Sequence, residues 1–413
     1  MQTLAQLQAG KLRGIKRLAL AEDLSTFPPE ILLLADSLEV LDLSNNRLSS
    51  LPAELAQMSK LKIVFASNNL FESLPEVLGQ CLNLEMIGFK ANQIRQVSAA
   101  ALPPQLRWLI LTDNQIERLP DELGARPRLQ KLALAGNRLS QLPQTLSQLH
   151  NLELVRISAN CLTECPEQLL QLPKLAWFAF AGNPFCHSTD NPTQVPDIDP
   201  ASFALGEILG QGASGIIYQG QWTQTQTQFP LDIAVKVFKG QVTSDGYPQD
   251  ELNACLQVGY HPYLVTPLAQ VAQPQSLALV MELIPPHYAN LGLPPSLESC
   301  TRDTFPAGFR LSISHIDKIV MQMQDVFDHM HNKLVCHGDL YAHNTLFDQD
   351  ANIIFGDFGA ASQYHMLSAH QQSKIKKIEH RSLQLFIDDL LSICREQDHT
   401  DPRYLKWRKL SQT

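Results

Sequence analysis

Residues 38–52 read LEVLDLSNNRLSSLP, and residues 61–75 read LKIVFASNNLFESLP. The two align without a gap at an offset of 23, and the alignment continues along the chain. Asn46, Asn69, Asn92, Asn114, Asn137, Asn160 and Asn183 recur at steps of 22 or 23, with Asp23 in the same slot one period earlier. Eight, five and three residues before each stand apolar side chains: Leu38, Leu41 and Leu43 in one copy, Leu106, Leu109 and Leu111 in another, Leu175, Phe178 and Phe180 in the last. A Leu-Pro step follows many of the asparagines, at Leu51-Pro52, Leu74-Pro75, Leu119-Pro120 and Leu142-Pro143. This spacing predicts one short strand per copy, its inward residues stacked on those of the next. The asparagine would hydrogen-bond backbone where the chain leaves the strand and no ladder partner exists. A buried leucine contributes roughly 1.5–3 kcal/mol, and no copy can bury its own, so the copies must stack. Chance clustering of leucine does not keep seven asparagines in register.

The pattern resembles leucine-rich repeats, over eight turns, and predicts a solenoid over residues 1–188. Outward strand positions fall six and four residues before the asparagine. One column reads Val40, Ile63, Met86, Trp108, Lys131, Leu154, Trp177, and the other includes Phe65, Ile110 and Arg156. An exposed apolar stripe of this kind predicts a protein partner docked on the concave face around Phe65, Trp108 and Trp177. The alternative is that the stripe packs against other parts of the chain. The segment HSTDNPTQVPDIDP (187–200) is rich in Pro, Asp, Ser and Thr, which predicts a linker over 189–200.

From Phe203 the character changes. FALGEILGQGASGIIYQGQW places Gly210, Gly212 and Gly215 in a GxGxxG pattern, with Ile217 two residues on. Apolar residues on both sides predict a strand-loop-strand hairpin, whereas a dinucleotide-binding turn would open a helix. Then IAVKVF (233–238) puts Lys236 on a buried strand, costly unless it is paired. Glu251, in the amphipathic stretch DELNACLQVG, is the expected partner, ahead of Asp250. LALVMELIPP (277–286) reads as a buried strand leading into a connector. Ile316, Ile319, Val320, Met323, Val326, Phe327 and Met330 share one helical face. The helix should end near Asn332, before LVCHGDLYAHNTLFD and, further on, GDFG (356–359). Asp339, Asn344 and Asp357 offer the hard oxygen ligands that Mg²⁺ prefers.

These parts, from about Phe203 to Gly359, resemble a eukaryotic-type protein kinase in order and spacing, so the whole chain is similar to a leucine-rich-repeat protein kinase. The fold implied is multi-domain α/β: an N-terminal leucine-rich-repeat solenoid, then a two-lobed protein-kinase-like α+β domain over 201–413. The resemblance implies ATP and Mg²⁺ as cofactors. It implies that the loop from Leu209 through Gly210, Gly212 and Gly215 to Ile217 covers the phosphates. Lys236, held by Glu251, would contact them. Ala234 and Ile217 would sandwich the adenine, with Met281 behind it and the backbone of Glu282 and Leu283 along its edge. Asp339 would accept or orient the hydroxyl proton, Asn344 and Asp357 would hold the metal, and His337 and Phe358 would be packing residues of the spine.

Three departures qualify the match. Gly338 stands where the family often has an Arg that ties to a phosphorylated activation loop, which implies that this chain is not switched that way. Tyr341 replaces the Lys that serine/threonine kinases place two residues after the catalytic Asp. His343 sits where tyrosine kinases often have an Arg, and it could stand in when protonated. Losing one preorganised donor costs ~10²–10³ in rate, so the loop is expected to be slowed rather than silenced. Only 54 residues follow Gly359, and no APE-like sequence closes an activation segment. IEHRSLQLFIDDLLSI reads as the central lower-lobe helix, with Glu379 where the family places an anchoring Asp. The expected activity is γ-phosphoryl transfer to Ser or Thr hydroxyls of proteins. The competing readings are a non-catalytic scaffold and a small-molecule kinase, since HGDL without the Lys is similar to the loop of aminoglycoside and choline kinases.

Bulk properties agree with a protein of two or three domains: 413 residues, 44% hydrophobic, 18% charged. The net charge is −9, and both parts are mildly acidic, with 15 Lys+Arg against 21 Asp+Glu after residue 200. Neither offers the basic surface that nucleic acid or an anionic membrane requires. No apolar run approaches the ~20 residues of a membrane span. The start lacks a signal-peptide layout, and the eight scattered Cys form no CxxC pair. Reduced thiols and a cytoplasmic location are expected.

Overall fold

The computed structural model describes residues 2–186, 195–212, 214–224, 229–240, 242–273 and 276–412. Residues 189–194 of the expected linker lie outside the described residues. The chain divides into two compact units, one of Met1–Leu175 with Asn183–Phe185, the other of Ala176–Gly182 with Cys186–Thr413.

In the first unit each copy gives one three-residue strand: β1 (Arg17–Ala19), β2 (Val40–Asp42), β3 (Ile63–Phe65), β4 (Met86–Gly88), β5 (Trp108–Ile110), β6 (Lys131–Ala133) and β7 (Leu154–Arg156). They pair in parallel and in register, Val40 with Ile63, then Met86, Trp108, Lys131 and Leu154. The inward leucines are fully buried. Behind the strands run short 3₁₀ turns such as Ala53–Gln57, Asp121–Ala125 and Gln144–Gln148, each entered from the proline of a Leu-Pro step. Proline suits that entry because its φ is preset and it has no N–H to leave unsatisfied.

The asparagines form a buried ladder between turns. Asn69 Oδ1 accepts from Leu48 N at 2.8 Å, while its Nδ2 donates to Leu43 O at 2.9 Å and Ala66 O at 3.1 Å. Asn92, Asn114, Asn137 and Asn160 repeat this arrangement. Asp23 departs from its expected place. It is exposed, adopts φ 57°, and pairs with Arg47 at 3.3 Å, while Asn46 itself accepts from Glu22 N and Leu24 N on either side.

The outward stripe is not the open surface expected from the spacing. Ile63, Met86, Trp108, Leu154 and Trp177 are all buried, Trp177 to 1% exposure. Neighbouring rows cover one another. The Phe65 ring fills the space beside Gly88, where a Cβ would come within 2.6 Å of it, and the Lys131 ammonium lies 5.0 Å from the centroid of Trp108. Alternation alone gives the side on which a residue projects, not what then lies across it.

The second unit contains β8 (Trp177–Ala179), the strand of the eighth copy, and a five-stranded antiparallel sheet. That sheet is built from β9 (Phe203–Gln211), β10 (Gly215–Trp222), β11 (Asp232–Phe238), β12 (Pro267–Gln273) and β13 (Ser276–Glu282), in the order β12–β13–β11–β10–β9. Helix Pro248–Val258 follows β11, with Pro at its first position and Gly259 ending it at φ 69°. The helical part is centred on Ile313–Asn332, capped by Ser312, whose seven expected apolar residues are all buried. Helices Ala369–Ser392 and Pro402–Ser411 complete it. None of the eight cysteines is in a disulfide. Among the described residues no helix is long and apolar enough to cross a membrane.

Candidate active site

The site forms where the sheet meets the helical part of the second unit. β9 and β10 make the antiparallel hairpin that the flanking apolar residues predict, with Ile217 opposite Gly210, and Gly212 N donates to Gly215 O at 3.0 Å across the turn. Gly215 is required by close approach, since a Cβ there would come 2.5 Å from Val237 O on β11. Beneath the hairpin lies a cleft of about 710 Å³. Leu209, Gly210, Gly212, Gly215, Ile217, Ala234, Lys236, Met281, Glu282 and Leu283 all line it, together with Glu251 and Asp357. Its size and apolar walls fit a nucleotide-sized ligand. Val265, Leu279, Tyr288 and Leu346 line it too. Leu279, two residues before Met281, shares its face of β13, whereas Val265, Tyr288 and Leu346 come from segments whose approach to the cleft has no local signal.

Lys236 projects from β11, where Ile217 on β10 and Leu279 on β13 flank it. Its Nζ bonds Glu251 Oε1 and lies 4.0 Å from Asp357 Oδ1. Burial works to lower the Lys236 pKa, but the Glu251 and Asp357 carboxylates outweigh it, and the pKa is raised. Lys236 therefore stays an ammonium. Burial, followed by the charge of Asp357, raises that of Glu251 against the pull of Lys236. Glu251 Oε2 has no hydrogen-bond partner among the described residues. Asp357 adopts a left-handed conformation, φ 60°, and its side chain is 56% exposed. Aspartate tolerates that conformation better than most residues bearing a Cβ.

The loop HGDLYAHN carries the remaining groups. Asn344 Nδ2 donates to Asp339 Oδ2 at 3.0 Å and Asp339 O at 3.2 Å, which leaves the amide oxygen as the ligand atom. Glu379 anchors the loop: its Oε1 accepts from His337 N at 2.7 Å and Gly338 N at 3.0 Å, and its Oε2 meets His331 Nε2 at 2.9 Å. His337 is fully buried, with Nε2 on Gly356 O at 3.0 Å, its ring stacked 4.1 Å from Phe355 and tilted against Phe358 at 5.4 Å. Burial lowers its pKa.

Asp339, His343 and Asn344 do not enter the cleft lining. His343 Nδ1 bonds Asp303 Oδ1 at 2.9 Å, and Asp303 also accepts from Ala342 N. A buried carboxylate on a separate loop fixes the imidazole through Nδ1, which leaves only Nε2 for the stand-in role expected from the spacing. Nothing local marks Asp303 as its partner. Tyr341 likewise is buried, stacked on Trp177.

No cluster of three His, Cys, Asp or Glu side chains able to hold a metal occurs among the described residues. Asp357 lines the cleft, whereas Asn344 lies outside its lining, bonded to Asp339. A carboxylate and an amide oxygen are donors of the kind Mg²⁺ takes, since it usually binds one or two protein carboxylates and completes its shell with phosphate and water.

Comparison with known proteins agrees with this geometry. The protein kinase domain family matches residues 203–378, and the leucine-rich-repeat family matches 36–80. The chain is thus a leucine-rich-repeat chain with a protein kinase domain. It is 24% identical over 162 residues to a serine/threonine-protein kinase/receptor of Acanthamoeba polyphaga mimivirus, covering 38% of this chain and 9% of that one. With a serine/threonine-protein kinase of Dictyostelium discoideum it shares 29% identity over 166 residues, 39% of this chain and 10% of the other. Tyrosine-protein kinase Mer of Mus musculus is 23% identical over 194 residues, 44% of this chain and 18% of that one. The chain thus spans about a tenth of the length of the first two. A solved leucine-rich-repeat protein of Leptospira interrogans aligns at 26% identity over 43% of this chain and 57% of that one, with a TM-score of 0.29.

Proposed function

We propose that the chain is an ATP-dependent protein kinase that transfers the γ-phosphoryl group to Ser or Thr hydroxyls. In this reading residues 1–188 recruit a protein partner or substrate, 189–200 connect, and 201–413 form the kinase domain, in the cytoplasm. The observation that carries it is the convergence of Lys236 with Glu251 and Asp357 in a cleft roofed by the glycine hairpin. Phosphoryl transfer needs little covalent help from protein; it needs negative charge gathered and positioned. Lys236 supplies the fixed cation for the phosphates. Asn344 and Asp357 would hold Mg²⁺, which neutralises charge on the transferred group when bound. Asp339, oriented by Asn344, takes or directs the proton of the acceptor hydroxyl.

A second reading, a non-catalytic scaffold, is favoured by one feature. The stretch after Gly359 runs only from the short strand Ser362–Gln363 to Ser368, which caps helix Ala369–Ser392. Little chain is left there to hold a peptide. The test is incubation with Mg²⁺ and γ-labelled ATP, with and without a generic protein acceptor, beside Asp339→Asn. Label on protein that disappears in the variant supports the kinase. Label only on small acceptors points to a small-molecule kinase, and ATP binding without label points to the scaffold.

A further inference from the structure

In a protein kinase, competence requires the lysine–glutamate pair and the metal-binding Asp in place together, and activation-loop phosphorylation commonly controls this. Here the chain offers no Arg before Asp339 and almost no activation loop. Within the second unit, however, residues 177–182 touch each element that such control must fix. Trp177 stacks on Tyr341 with ring centroids 5.1 Å apart and planes 3° from parallel, and its Nε1 donates to Leu340 O at 3.0 Å. Phe178 O approaches Gly338 so closely that a Cβ there would lie 2.8 Å away. The amides of Phe180 and Ala181 both donate to Ser362 Oγ at 3.0 Å. Ser362 is fully buried, on the strand that pairs with Val335–Cys336 just before the HGD loop. Gly182, at φ 71°, passes the start of the Glu251 helix, where a Cβ would come 2.6 Å from Asp250 Oδ2 and 2.7 Å from Tyr247.

We propose that segment Trp177–Gly182 is a built-in activating clamp, with Trp177 as the positioning residue for Asp339 through Leu340 and Tyr341. It orders the catalytic loop, the strand after Gly359 and the Glu251 helix at once, in place of a phosphorylated activation segment. The two departures in the loop then share one cause. Gly338 makes room for the Phe178 carbonyl, and Tyr341 presents a flat ring that stacks on Trp177. The kinetic part of this assignment rests on the kinase reading; the structural part does not.

The test uses the full chain as wild type, Trp177→Leu, Trp177→Phe and Ser362→Ala, the last being the mildest should a Trp177 variant fail to fold. Amide hydrogen exchange is followed over residues 337–345 and 203–222. Phosphoryl transfer is measured with labelled ATP, and nucleotide affinity with a fluorescent ATP analogue. Exchange at 337–345 should rise at least ~10-fold in Trp177→Leu and Ser362→Ala, with 203–222 unchanged. The kcat should fall by ~10-fold or more while nucleotide affinity holds within about two-fold. Trp177→Phe, which keeps a ring on Tyr341, should recover part of both. Phosphatase treatment of the wild type should leave transfer unchanged. Unchanged exchange at 337–345 in folded variants overturns the clamp, as does loss of transfer on phosphatase treatment. If the wild type transfers no phosphate, the kinase reading fails, and the exchange measurement still decides the clamp.

Discussion

Replacing Gly338 by alanine asks whether backbone geometry, rather than the mere loss of a charged side chain, dictates the residue before Asp339. Gly338 sits at φ 70°, a region that costs a residue bearing a Cβ about 1–2 kcal/mol. The new Cβ would also lie 2.8 Å from Ala360 O and 2.8 Å from Phe178 O. Both are backbone atoms, so relief requires moving either the turn after Asp357 or β8. Overpacking of this kind costs about 1–3 kcal/mol. The expected loss is therefore about 2–5 kcal/mol, or roughly 5–15 °C in Tm for a unit of this size. Thermal and urea unfolding of the full chain followed by circular dichroism measures it. Installing the family's Arg instead should cost no less, because the clash arises at Cβ. A Gly338→Ala protein within about 0.5 kcal/mol of the wild type, the range of an ordinary surface change, would refute the argument.

Four further outcomes are expected. Asn160→Ala leaves Leu139 N and the Leu134 and Ile157 carbonyls without their buried side-chain partner and should cost about 2–4 kcal/mol in urea unfolding. Lys236→Met should cost about 3–5 kcal/mol by stranding Glu251, and the double change to Met at both positions should cost less than the sum of the singles; strict additivity would show that the pair is not coupled. Asp357→Asn should abolish the Mg²⁺ dependence of nucleotide affinity, seen by titration calorimetry, and slow any transfer by ~10²–10³. His337 is held neutral by burial, with its Nδ1 unpartnered, so its folded pKa lies below the unfolded value near 6.5. As pH falls below about 6.5 the unfolded chain takes up the proton first, and stability should drop; this acid sensitivity should shrink in His337→Phe.

The repeat, the glycine hairpin, the Lys236–Glu251 pair and the long helix were all legible in the sequence. Each depends on residues close together or on a pattern repeated many times: seven asparagines bonding the same backbone groups, or seven apolar residues on one helical face. Local geometry fixes such features, and repetition makes them readable. The anchoring position of Glu379 came from the resemblance to protein kinases, which place an Asp there. Two other features were decided only by the tertiary structure. His343 bonds Asp303, forty residues earlier, and the outward Trp177 is buried against Tyr341 rather than open. Alternation along a strand sets the direction in which a side chain points, but its partner depends on where a distant part of the chain returns. Tyr341 finds its aromatic partner 164 positions away, and the free energy of that contact lies in a closure that no local pattern records.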